Sequence, residues 1–182
     1  MKKFLCMMMA VLMVLAMAAC GGEPANNGGN DTPDATTVKI GGIGPVTGGA
    51  AIYGQAVKNA EELAVKEINA ANGSDVFEWK FEDDEHDAEK SVNAYNSLKD
   101  WGMQMLVGTT TTAPCIAVAG KTASDNVFQI TPSASSPDVL SSGNGNVFQV
   151  CFKDPNQGVA SAQYIAENKL ATKIGIIYDS SD

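Results

Sequence analysis

The chain has 182 residues, with 12 lysines, no arginine and 21 acidic residues, for a formal charge of −9. A nucleic-acid ligand needs clustered positive charge to displace its counterions, and nothing in this sequence supplies it, so nucleic-acid binding is excluded. The acidic balance suits a soluble surface.

The N-terminus carries the first motif. Lys2 and Lys3 form a short positive region, and Phe4 to Ala16 is an apolar run without a charge. Ala18, Ala19 and then Cys20 follow, which is the layout of a cleavable secretory signal. The run is shorter than the roughly 20 apolar residues that a spanning helix needs. The stretch from Leu15 to Gly22 resembles the bacterial lipobox, in which the cysteine receives a diacylglyceryl group, although Met17 stands where that motif usually has Leu. A plain signal with an incidental cysteine is the alternative. Gly21 to Thr37 is Gly, Asn, Pro and Asp with almost nothing to bury, and it is expected to be a flexible tether. Residues 1–20 are thus expected to be a lipoprotein signal peptide and residues 21–37 a tether. The product would be exported and lipid-anchored through Cys20 to the outer face of the bacterial cell membrane, or periplasmic.

From Val38 onward, short apolar strands alternate with longer amphipathic segments. Val38 to Gly44 reads as a first strand, and a glycine-rich loop from Pro45 to Ile52 leads into a helix from about Tyr53 to Ala71. Its apolar positions Ala56, Ala60, Leu63, Ala64, Ile68 and Ala71 fall at helical spacing, and Asn72-Gly73 closes it. Phe77 to Phe81 is a second strand leading into Asp83-Asp84. Asp87 can cap a helix that runs to Trp101 and ends at Gly102. Met103 to Val107 is a third strand, Ala113 to Ala123 a helix, and Val127 to Ile130 a fourth strand. After a Ser/Pro/Gly stretch, Val147 to Phe152 is a fifth strand, and Asp154-Pro155 starts a helix to about Asn168. Lys173 to Tyr178 reads as a buried strand and Asp179 to Asp182 as the turn after it. A closing strand with nothing to cover it suggests a fragment. Outside signal and tether about 145 residues remain, enough for one core.

This alternation predicts an α/β fold, a doubly wound, mainly parallel sheet with helices on both faces. Ligands in such sheets sit beyond the carboxyl ends of the strands, where the strand order reverses. Small polar residues gather there: Gly44 to Tyr53, Thr109 to Thr112, and Thr131 to Ser136. Three such loops converging on one rim make a binding site the default expectation. Thr109 to Thr112 followed by Ala113-Pro114 puts hydroxyls at a helix N-terminus, where free N–H groups and the dipole favour an anion. Ser133 and Ser135 offer a carbonyl and a hydroxyl suited to an ammonium group, and Tyr53 offers a ring. A carboxylate site beside an ammonium site describes an α-amino acid. Helix capping and an ordinary serine-rich loop are the bland readings of the same residues.

Cys115 and Cys151 stand about 36 positions apart and could pair outside the cytoplasm, but their apolar neighbours favour two buried free thiols. His86, the single histidine, sits in Asp83-Asp84-Glu85-His86-Asp87. That cluster could hold a metal, yet it reads better as a solvated loop, so neither a metal nor a cofactor is expected.

The residues from Lys39 to Asp182 together resemble the branched-chain amino-acid-binding family, the type I periplasmic binding proteins that serve ABC importers. The matching pieces are Ile40-Gly41, Pro45 to Gly48 and Tyr53-Gly54; Ala64 with Glu67-Ile68-Asn69; and Asp83-Asp84 with Asp87. Val107-Gly108 with Thr112, Ile130 to Ser135, and Val147 to Phe152 with Asp154 and Gln157-Gly158 continue the series. The family has two lobes joined by a hinge, with ligand trapped between them. The resemblance implies that residues 38–153 are lobe one and residues 154–182 the hinge crossing and the start of a truncated lobe two. It implies that Thr112 and Ser135 bind the ligand's charged groups through hydroxyls, Ser133 through its backbone, and that Tyr53 lines the side-chain pocket. The implied partners are a small-molecule amino acid, an ABC permease with its ATPase subunits, and the membrane through the lipid anchor, with the receptor itself a monomer and not an enzyme. Family members often have Arg where this chain has Gln149. Some bridge two cysteines at the positions of His86 and Thr111, so that bridge is absent here.

Three rivals remain. The same fold could bind another small solute, such as an amide or an aromatic acid, and a sensory lobe would need a signalling segment that is not visible. A nucleotide-binding enzyme is suggested by Gly42-Ile43-Gly44, but its fingerprint needs glycine where Thr47 stands. The acids also follow Gly48 by about 35 residues instead of ~20. No Gly-x-Ser-x-Gly turn supplies a hydrolase nucleophile.

Overall fold

The computed structural model describes residues 37–178. The signal, the proposed lipid site at Cys20 and the tether as far as residue 36 lie outside the described residues, as does the turn from 179 to 182.

The chain alternates strand and helix: β1 (Val38–Gly44), α1 (Ala51–Asn72), β2 (Phe77–Asp83), α2 (Ala88–Trp101), β3 (Met105–Gly108) and α3 (Thr112–Asp125). It continues with β4 (Phe128–Thr131), a short α4 (Asp138–Ser141), β5 (Val147–Gln149) and α5 (Asp154–Glu167). The strands form one sheet in the order β2-β1-β3-β4-β5, and every pair is parallel. The order reverses between β1 and β3, which is where an α/β sheet opens a crevice at its carboxyl edge.

Helix ends follow local chemistry. Asp87 caps α2, its carboxylate accepting the Lys90 N–H at 2.8 Å, and Gly102 closes it in a left-handed conformation at φ 93°. Gly73 and Asn126 close α1 and α3 in the same region. α4 is a single turn that sequence periodicity cannot reveal; Ser141 and Ser142 hydroxyls fold back on the Asp138 carbonyl.

The core lies on one face of the sheet. Ile43 and Leu106 pack there against Ala94, Tyr95, Leu98 and Val118 of α2 and α3, with Met103 beside them. A second cluster joins Cys115 and Ala119 to Ala134, Val139 and Val147. α1 lies on the opposite face: Gly42 faces Glu61 of α1, while its neighbour Gly41 faces Leu98 of α2. Only Gly54 of α1 is buried, because its backbone rests directly on Pro45, so that a Cβ would collide with the Pro45 carbonyl. An apolar groove remains between α1 and the sheet, lined by Ile40, Ala60, Val65, Trp79 and Val107, with Glu61 among them.

One expectation is corrected. Lys173 to Tyr178 is neither strand nor buried: Ile176 is 82% and Tyr178 79% exposed, with no ladder partner among the described residues. An apolar run becomes a strand only when a neighbour takes its N–H and C=O groups, and none of the described strands does so. Cys115 is buried as expected, but Cys151 is half-buried, and both thiols are free.

Candidate ligand-binding cleft

The cleft is built from strand ends. The parallel ladder sets Gly44 beside Asp83 and Ile43 beside Gly108, so the loops after β1, β2 and β3 leave the sheet at one edge. Each loop is then tied to its neighbour. Asp83 accepts the Val46 N–H at 2.9 Å, the Glu85 N–H at 3.0 Å and the Thr47 hydroxyl at 2.6 Å. Against a desolvation that would raise it, these bonds from Thr47, Glu85 and Val46 hold its carboxyl below the usual range.

The loop after β3 is pinned from two sides. Thr110 donates its backbone N–H and its hydroxyl to the Ile43 carbonyl, at 3.1 and 3.3 Å. The Thr131 hydroxyl donates to the Thr109 carbonyl at 2.8 Å and accepts the Ala134 N–H at 3.0 Å and the Ser133 N–H at 3.4 Å. One buried hydroxyl thereby joins the threonine loop to the serine loop. Gln149 fixes the far side of the serine loop by donating to the Ala134 and Ser136 carbonyls. The loop is thus held by a neutral amide.

These ties bring Tyr53, Thr112, Ser133 and Ser135 around one cleft of about 440 Å³ at the carboxyl edge of the sheet. Gly49, Ala50, Thr110, Thr111, His86 and Phe152 complete its wall. Five of the wall residues, Thr110, Thr111, Thr112, Ser133 and Ser135, carry hydroxyls at or beside the start of α3 and on the serine loop, and Tyr53 and Phe152 are each 60% exposed, presenting apolar rings. No Lys, Arg, Asp or Glu lines it. The arrangement can hold a small ligand with an anionic group at the α3 N-terminus and a second polar group against Ser133 and Ser135 of the serine loop.

Sequence reasoning missed two wall residues. Phe152 falls at the end of a run read as strand; the ladder stops at Gln149 and frees it. His86 reads from sequence as part of a solvated loop; it is exposed, but its Nδ1 also lies 2.9 Å from the Thr111 hydroxyl. The parallel register was the available signal, because it sends the end of β2 to the same edge as the ends of β1 and β3. Among the described residues no cluster of His, Cys, Asp and Glu could hold a metal. No described helix is long and apolar enough to cross a membrane.

The family model described as "Periplasmic binding protein" matches residues 37–182. The Leu/Ile/Val-binding protein homolog 3 of Brucella melitensis is 34% identical over 144 residues, 78% of this chain and 39% of that protein. Among solved structures, the leucine-binding protein LivK from Thermotoga maritima superposes with a TM-score of 0.66 at 29% identity, over 74% of this chain and 38% of that one. LivJ from Streptococcus pneumoniae, in complex with isoleucine, gives 0.66 at 27% identity, over 72% and 38%. The chain spans about two fifths of the length of the curated relatives it matches.

Proposed function

The chain belongs to the periplasmic binding protein family, a family of solute-binding proteins, and from that premise we propose that it is the ligand-binding first lobe of an extracytoplasmic receptor capturing an amino acid for an ABC importer. The observation that carries the reading is a cleft whose wall is hydroxyls and a helix N-terminus, without a charged side chain of the Lys, Arg, Asp or Glu type. A zwitterion brings its own charges and needs donors at one end and acceptors at the other. Thr112 and the α3 N-terminus supply donors for the carboxylate. Ser133 and Ser135 meet the ammonium group through a carbonyl and a hydroxyl. Tyr53 lies against the side chain. The relatives named for Leu, Ile and Val support a branched-chain ligand first.

Capture is reversible and involves no covalent step. Residues 38–153 act as lobe one and residues 154–182 as the crossing toward a second lobe, with a permease and its ATPase subunits as partners. Lipid on Cys20 holds the monomeric receptor at the membrane.

Isothermal calorimetry of the full-length protein tests this, with L-leucine, L-isoleucine, L-valine, a benzoate, an aliphatic amide and ATP as probes. Saturable binding of the amino acids supports the reading. Binding of the benzoate or amide alone moves the protein to another solute class, and a response to ATP alone overturns the receptor reading.

A further inference from the structure

We propose that His86 is a proton-operated positioning residue of the cleft, which decides whether the Thr111 hydroxyl meets the ligand as a donor or as an acceptor. The inference rests on the amino-acid reading above and adds a regulation to the same site.

The geometry starts with Thr111. It is the N-cap of α3, with extended backbone at φ −112° and ψ 157°, yet its side chain makes no capping bond. Its Oγ1 instead meets His86 Nδ1 at 2.9 Å, and both residues line the cleft. A hydroxyl has one proton to give. With the neutral imidazole protonated on Nε2, Nδ1 is an acceptor and takes that proton, so the cleft sees only the lone pairs of Thr111. In the imidazolium both ring nitrogens are donors. The added proton sits on Nδ1 and points at Oγ1, and the hydroxyl proton turns from the ring toward the cleft. One proton is taken up, and one donor is delivered beside the N–H groups of α3, where an anion is already favoured.

His86 is exposed, and the backbone that carries its ring is held in a defined turn. Glu85 and His86 both have positive φ, 51° and 63°. That turn is fixed by Asp84, which accepts the His86 N–H at 2.9 Å, and by the Glu85–Lys90 ion pair at 2.6 Å. Asp84 is fully buried and its Oδ2 has no hydrogen-bond partner. Burial, with Asp83 adding to it against the opposing His86 N–H and charge, pushes its carboxyl up to about 6. The other ionisable groups of the turn are Asp83, Glu85 with Lys90, and Asp87. The β1–α1 loop brings Thr47 and the first turn of α1 brings the Tyr53 phenol to this edge, and the start of α3 brings only hydroxyls. Histidine changes charge between about pH 5 and 8. Proton uptake by His86 and by Asp84 both make the edge less negative, so mild acid favours an anionic group in the cleft.

The test uses the full-length protein. Nitrogen-15 NMR of the free protein from about pH 5.5 to 7.5 should show neutral His86 as the Nε2–H tautomer. The amides of Thr111 to Ala113 should move with the midpoint of the His86 ring. Calorimetry with L-isoleucine should give affinity about tenfold tighter at the acid end, the size expected of one charge-assisted bond. His86→Gln and Thr111→Val should each lose most of that tenfold difference, the remainder being the share of Asp84. A neutral Nδ1–H tautomer, or a pH slope unchanged in His86→Gln, overturns the proposal. If L-isoleucine binds at neither pH, the amino-acid reading fails separately, and the NMR then decides alone: α3 amides that stay still while His86 titrates overturn the coupling.

Discussion

Thr131→Val removes one oxygen and leaves the shape of the side chain almost unchanged. That oxygen donates to the Thr109 carbonyl at 2.8 Å and accepts the Ala134 N–H at 3.0 Å, and both residues are buried, at 0% and 1% exposure. The third bond, from the Ser133 N–H at 3.4 Å, is long and only part-buried, so water can replace it. Two stranded buried groups at about 1–3 kcal/mol each set a destabilisation of about 3 kcal/mol, toward the lower half because the serine loop can relax. Urea denaturation should show the midpoint fall with little change in slope, since the surface exposed on unfolding is the same. Ligand affinity should fall with it, because the same hydroxyl aligns the threonine and serine loops. A loss of stability below about 0.5 kcal/mol together with unchanged binding would refute the claim that Thr131 joins the two loops.

Glu61, in the apolar groove beneath α1, is pushed up to about 8 from 4.5, chiefly by burial and against its hydrogen bond from Trp79. The folded chain keeps a proton that the unfolded chain loses, so stability should fall as pH rises from about 4.5 and level off above about 8. Glu61→Gln should remove that slope and gain about 1–3 kcal/mol at pH 7, and urea curves at the two pH extremes check it; equal slopes in both proteins contradict the burial argument. Gly54→Ala should lower stability by about 1–3 kcal/mol in a thermal melt, because its Cβ meets the Pro45 carbonyl; an unchanged melt removes the close approach. Cys20→Ser should abolish incorporation of radiolabelled fatty acid and release the protein from the membrane fraction, whereas an unlabelled wild type contradicts the lipid anchor.

The strands and long helices were legible because apolar runs, helical spacing and glycine or asparagine stops all agree from Val38 to Trp101. Boundaries moved where packing outweighed pattern. Met103 reads as the start of β3, but it leaves the ladder to fill the core beside Leu98, and the strand begins at Met105. Val147 to Phe152 reads as six strand residues, but the ladder ends at Gln149, whose amide is drawn to the serine loop. The apolar stripe of α1 predicts a buried face, yet Leu63 is 55% exposed, since helical spacing states what a helix could bury and not what covers it. Tyr53, Thr112, Ser133 and Ser135 could be placed at strand ends from the alternation alone. His86 and Phe152 could not, because one depends on the register of β2 beside β1 and the other on where a ladder stops.

The most direct measurement is calorimetric titration of the full-length protein with L-leucine, L-isoleucine and L-valine, beside Thr112→Ala and Ser135→Ala. Saturable binding by the wild type, weakened by about 1–3 kcal/mol in each variant, is the predicted result. Wild-type binding that neither variant alters would place the ligand elsewhere and contradict the cleft.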